Sequence, residues 1–159
     1  MRCRAKGIAR SALQRGSAAI EFVVVFPLFF FLLYAIVAYS MVFVVQQSLV
    51  AAAEEGARSA LVWQYASSEG DALVARGQQA CNRATSAAVW LPVAPTCTNA
   101  ISTAPAGCED NQSMDCIEVT LRYDYASHPL VPLLPLLDFA VPQSLASKAT
   151  VEIDPVSLL

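Results

Sequence analysis

The residues able to do chemistry in this chain are few and scattered. Cys81, Cys97, Cys108 and Cys116 fall within one stretch, Cys3 stands alone near the start, and His128 is the single histidine. A zinc site would need paired thiolates at short spacing; there is no CxxC pair and one imidazole, so zinc is not expected. The same lack argues against thioredoxin-like redox chemistry. His128 precedes Pro129 and has no nucleophile elbow or oxyanion turn near it in sequence, so it reads as a loop or edge histidine rather than a triad base. Glu109, Asp110 and Asp115 are oxygen ligands of the kind calcium takes, but without the spacing of a known calcium loop they read as a solvated acidic loop. No glycine-rich phosphate loop is present. The remaining chemical group is Glu21, a carboxylate set directly against a long apolar run. No enzyme activity and no cofactor or metal is expected.

That run dictates the class of the chain. Of 159 residues, 56% are hydrophobic and 14% charged, against roughly 25% charged in an ordinary soluble domain. Disorder is thereby excluded. From Phe22 to Ala53 there is no Asp, Glu, Lys or Arg. The stretch Phe22–Val45 spans roughly 36 Å as a helix, against a hydrocarbon core of about 30 Å. It is longer than the apolar region of a secretory signal, about 7–15 residues. Arg2, Arg4, Lys6, Arg10 and Arg15 precede it without an acid, giving residues 1–16 a charge of +5 and leaving −8 on residues 17–159. The excess of bases before the run puts the N-terminus in the cytoplasm and the remainder across the membrane. With no basic patch beyond residue 16, nucleic-acid binding is not expected. Pro27, inside the run, cannot donate to the Val23 carbonyl and predicts a bend or weak point.

The helix is expected to continue past the membrane, from about Ser17 to Trp63, on a stripe of Leu49, Ala53, Ala57 and Leu61. Small residues around Gly56 allow close helix approach. Glu54 and Arg58 are spaced for an i,i+4 ion pair. Ser67-Ser-Glu-Gly-Asp71 reads as a helix start, and a second helix to about Val89 carries an apolar stripe of Leu73, Ala80, Ala84 and Ala87/Ala88, ended by Pro92 and Pro95. A weak strand is expected over Thr96–Ser102 and a loop over 103–113. Ile117–Tyr125 alternates strictly, with Ile117, Val119, Leu121, Tyr123 and Tyr125 on one face. Leu145–Ile153 is the last strand. Between them, His128–Asp138 carries three prolines among leucines; it reads as a crossover folded on the core, or as an exposed apolar surface for a partner. The class is α+β, with helices covering one face of a small antiparallel sheet of two to three strands. The four cysteines beyond the membrane lie in an oxidising compartment and predict two disulfides. Of the three pairings, Cys81–Cys97 and Cys108–Cys116 are favoured as near neighbours.

The junction Arg15-Gly16-Ser17-Ala18-Ala19-Ile20-Glu21-Phe22 resembles the processing site of type IV pilin-like proteins. The wider run Gly16–Pro27, with Ala51-Ala-Ala-Glu-Glu-Gly-Ala-Arg58-Ser-Ala60, resembles the TadE-like family, minor pseudopilins of tight-adherence (Flp-type) pilus systems, and also suits the related TadF-like proteins. The resemblance covers about residues 16–65. It implies a cut by a prepilin peptidase after Gly16, Ser17 as the new N-terminus, and Glu21 as the fifth mature residue, guiding processing or subunit alignment. Ser17 departs from the Phe or Met of type IV major pilins, so N-methylation is not carried over. Physically, cleavage would remove the +5 leader and leave an ammonium one helical turn from Glu21. Pairing would offset the cost of a carboxylate near lipid, at most ~2.5–3.5 kcal/mol at mid-membrane.

The expected organisation is a cytoplasmic leader (1–16), a transmembrane and extended helix (17–63) carrying Pro27, Gly56 and Arg58 as packing positions, and a periplasmic or extracellular head (64–159). The expected function is a minor pilin-like structural subunit in the bacterial inner membrane. Its partners would be the prepilin peptidase, other pilin-like subunits, inner-membrane pilus assembly proteins and membrane lipid. The alternative is an unprocessed single-pass periplasmic binding module.

Overall fold

A computed structural model describes residues 10–102, 114–132 and 141–157, with side chains from Ala18 onward. The elements are α1 (Arg10–Ser59), α2 (Glu69–Ala87), β1 (Thr96–Ser102), β2 (Asp115–Asp124), β3 (Ser144–Ile153) and a 3₁₀ turn at Pro155–Ser157. The architecture is α+β. The chain divides into two compact units, one through Tyr39 and one from Ser40.

The first unit is described by α1 alone. The helix starts at Arg10 rather than near Ser17, because Ala12, Leu13, Gln14 and Arg15 are strong helix formers that carry it into the basic leader. It remains helical on both sides of Pro27. The segment Ala18–Ser59 is long and apolar enough to cross a membrane. Phe22 and Phe26, one turn apart, stack at 5.3 Å between ring centroids.

In the second unit α1 becomes an ordinary amphipathic helix. Val45, Leu49, Ala52, Ala53, Ala57 and Ala60 form its buried stripe. Leu61, expected in that stripe, is exposed instead, because α1 ends at Ser59. The chain closes there with tight bonds from Leu61 N–H to the Arg58 carbonyl and from Val62 N–H to the Ser59 carbonyl, both 3.2 Å. The Ser59 hydroxyl also donates to the Gly56 carbonyl at 2.7 Å, competing with the helical ladder. Trp63 therefore lies beyond the helix.

The start of α2 is capped from both sides. Ser68 Oγ accepts from the Asp71 N–H at 3.2 Å, and its hydroxyl donates to Asp71 Oδ2 at 2.8 Å. The buried face of α2 is Ala72, Arg76, Gly77, Ala80 and Ala84. Ala88 is buried and Ala87 exposed, so the stripe expected through Ala87/Ala88 runs through the latter. Gly56 of α1 meets α2 almost backbone to backbone: a Cβ there would lie 2.7 Å from the Ala80 carbonyl oxygen and 2.7 Å from the Ala84 Cβ. Gly77 faces the Asn99 side chain of β1. A glycine that weakens α2 by propensity thus lets β1 approach it.

The sheet is an antiparallel meander in the order β1-β2-β3. Ile117, Val119, Leu121, Tyr123 and Tyr125 are buried, joined from β3 by Leu145, Ser147 and Ile153. Burying each large side chain contributes about 1.5–3 kcal/mol. Tyr123 and Tyr125 pack edge to face, and the Tyr123 hydroxyl donates to the His128 carbonyl at 2.8 Å, satisfying a phenol that would be costly to bury alone. Leu130 packs on the core; residues 133–138 of the expected crossover, and the loop at 103–113, lie outside the described residues.

Helix propensity alone would make alanine better than glycine at both 56 and 77, by ~1 kcal/mol. Packing reverses the sign at 56. Gly56→Ala should destabilise the protein by about 1–3 kcal/mol. Gly77→Ala should cost less, because Asn99 is a flexible side chain. Denaturation of both variants in detergent checks this order.

Candidate functional site

Gly16, Ser17 and Glu21 lie on the continuous helix α1. Ser17 and Glu21 are spaced i,i+4, so the helix brings them to one face about one turn apart. Glu21 is exposed, between Ile20 at 70% and Phe22 at 65% exposure. Apolar side chains surround the carboxylate along the helix.

The other singled-out residues fall in the second unit. Gly56 is at the α1–α2 contact. Arg58 is exposed and does not pair with Glu54. Ion pairs join Glu55 to Arg83 at 2.8 Å and Glu118 to Lys148 at 2.9 Å. Glu54 and Arg58 instead line an open groove of about 310 Å³ with Ala57, Ala149, Thr150 and Val151. Arg83 binds Glu55 through two nitrogens, at 3.0 and 2.8 Å. A disulfide joins Cys81 to Cys97, fastening α2 to the start of β1. Cys116 is also disulfide-bonded; Cys108 and Cys3 lie outside the described residues.

No group of three or more His, Cys, Asp or Glu side chains that could hold a metal comes together among the described residues. His128 is exposed, and the hydrogen bond described for it uses its backbone carbonyl. Glu109 and Asp110 lie outside the described residues, while Asp115 begins β2.

Arg76, on α2, is 2% exposed, a burial that its local spacing does not announce. Two tethers leave α1: Trp90 Nε1 donates to Ser48 Oγ at 2.7 Å, and Gln46 Nε2 donates to the Ala146 carbonyl at 3.0 Å. These span 42 and 100 residues, and no local periodicity could reveal them. Gln46 satisfies a carbonyl on β3, which is an edge strand of the sheet among the described residues.

Together the geometry defines a class: an α+β chain with one N-terminal helix fit to cross a bilayer and a disulfide-stapled helix-on-sheet unit. Residues 16–58 match the family model of the TadE-like proteins. The N-terminal segment is thus TadE-like, and the match points to a protein related to the Tad pilus. No curated protein and no solved structure matches the chain.

Among the ionisable groups of the second unit, the hydrogen bond from Lys148 holds the Glu118 carboxyl below its usual range, against burial and with help from the Thr120 hydroxyl. A depressed carboxylate contributes stability above its unfolded value, about 4.3, and that stability is lost as pH falls through the folded value. Glu118→Gln should remove this acid-side slope and cost about 0.5–1 kcal/mol near neutral pH, since Lys148 is largely exposed. Thermal melts of both proteins between neutral and acid pH check it.

Proposed function

We propose that this protein is a non-enzymatic minor pilin-like subunit for assembly of a tight-adherence pilus or its secretion machinery. In this reading it sits in the bacterial inner membrane, leader inside and head outside, and a prepilin peptidase cuts between Gly16 and Ser17. The observation that carries it is the junction itself. A +5 leader ends in glycine, a carboxylate follows five residues later, and the uncharged apolar run of a helix fit to span a membrane starts at once, inside the segment matching the TadE-like model.

The physics of the junction supports the reading. Gly16 lies within α1, where glycine weakens a helix by about 1 kcal/mol relative to alanine. A protease needs an extended backbone, and glycine lowers the cost of opening the helix at the cut. After the cut, the Ser17 ammonium lies on the Glu21 face. The amine of the same chain, or of an adjacent pilin-like subunit, can neutralise the carboxylate and set a register between neighbouring helices. Pilin-like subunits and inner-membrane assembly proteins are the partners this arrangement fits.

Mass measurement of the protein expressed with and without a prepilin peptidase tests the cut. Residues 1–16 should be lost only with the peptidase, and Gly16→Arg should abolish the loss. An unchanged mass with every peptidase would leave the unprocessed, membrane-anchored binding module as the better reading. Glu21→Ala should impair cleavage or recovery of the protein with its pilin-like partners by tenfold or so, the loss of about 1.4 kcal/mol expected for a charge pair in a partly apolar site. Normal cleavage and assembly would discard the pairing.

A further inference from the structure

The second unit has two chemically different ends. Three contacts establish the direction of α2 against α1: Gly56 on Ala80 and Ala84, Glu55 to Arg83, and Ser48 to Trp90. The helices are antiparallel, so the C-terminal end of α2 returns to the Ser48 turn of α1. Gln46 contacts Ala146, which pairs with Arg122. The end of β2 and the start of β3 therefore lie at this same end. The opposite end holds Glu69 and Asp71 in the first turn of α2, Asp115 at the start of β2, and Glu152 and Asp154 at the end of β3. The near end has Arg122, Asp124 and His128, and its α2–β1 connection is uncharged from Ala84 to Ser102.

That connection displays apolar side chains. Val89 is 80% exposed, Trp90 46% and Val93 42%, while Ala88 and Leu91 are buried and anchor the turn in the core. Ser48, to which the indole is tied, stands three residues after Val45, the last residue of the apolar run. That is about 5 Å along the helix, within the thickness of the polar layer that flanks a hydrocarbon core. On α1 just before it, Met41, Phe43 and Val44 are exposed. An indole with its N–H satisfied and its ring outward, at that depth, has the amphipathic character of an interfacial anchor.

Resting on the reading of α1 as a membrane span, we propose that the α2–β1 turn, with Trp90 at its centre and Val89 and Val93 beside it, docks into the lipid interface as a second membrane contact. The occupant is lipid because the patch continues the border of the apolar run. Glu69, Asp71, Asp115, Glu152 and Asp154 lie at the far end, away from an anionic surface, and at the near end Asp124 is offset by Arg122. The turn holds the head by a second point, so the head does not swivel freely about α1.

Tryptophan quenching in the full-length protein tests this. Trp63→Phe leaves Trp90 as the reporter, and Trp90→Phe leaves Trp63. Each is reconstituted in phosphatidylcholine–phosphatidylglycerol vesicles with bromines near the head-group end or near the centre of the acyl chains. Trp90 should lose roughly half its emission to the shallow bromines and less to the deep ones, as an interfacial indole does. Trp63 should keep its emission with both lipids and be quenched by aqueous iodide. Trp90 quenched by iodide as strongly as Trp63 and by neither lipid overturns the proposal. So does Trp90 shielded from both bromine and iodide, which would mean a protein neighbour covers the turn. A chain lacking both tryptophans and carrying Phe30→Trp reports on the span: its quenching by deep bromines with Trp90 unaffected sinks the docking alone. No quenching of Phe30→Trp overturns both readings.

Discussion

The second unit is organised by the near-touching of two helix backbones at Gly56. With the Ala80 carbonyl and the Ala84 methyl where a side chain would otherwise project, α2 can lie against α1 in very few ways. Buried small residues flank this contact on both helices, Ala52, Ala53, Ala57 and Ala60 on one and Ala80 and Ala84 on the other. Close approach gains dispersion contacts rather than large buried area, and it fixes direction. Once α2 runs back along α1, Arg83 must meet Glu55, Trp90 must reach Ser48, and the disulfide from Cys81 must deliver β1 to the sheet. The remaining strands follow as hydrogen-bonded neighbours.

From this arrangement comes the division of labour along α1. Its N-terminal part shows apolar side chains to its surroundings; its C-terminal part buries one stripe and exposes Glu54, Arg58 and other polar groups. The change in character along the helix falls near Gln46 and Ser48, the residues whose side chains reach out to β3 and to the α2–β1 turn. In the proposed subunit, the carboxylate at Glu21 and the tethers at Gln46 and Ser48 mark the two borders of the membrane. One border would answer to a peptidase and neighbouring helices, the other to lipid.

Much of this was legible in the residues. Strict alternation of Ile117, Val119, Leu121, Tyr123 and Tyr125 predicts β2 and its buried face, because a period of two has no other structural meaning over nine residues. The Ser68–Asp71 cap is readable for a similar reason: its bonds are local. Legibility stopped where contacts are distant. Glu54 and Arg58 have ideal spacing, yet the ion pair on this part of α1 is made by the neighbouring Glu55, because α2 places Arg83 beside it. Leu61 fits the apolar stripe by period, but the helix ends one turn sooner. Gly77 argues against a helix by propensity; in the fold it is the residue that admits Asn99.

By itself the sequence determined the class of element at each place, the existence of a helix able to cross a bilayer, the charge asymmetry around it and the glycine–carboxylate junction. These depend on composition and on spacings within a few turns, where each residue's neighbours are known from its number. Only the tertiary structure decided which face of α2 met α1, that its end comes back to Ser48, and that Glu69, Asp71, Asp115, Glu152 and Asp154 lie at one end of the head while an indole stands at the other. Those are properties of direction and register between elements. Direction and register are set by which surfaces can approach closely, and that depends on side chains tens of residues apart acting at once.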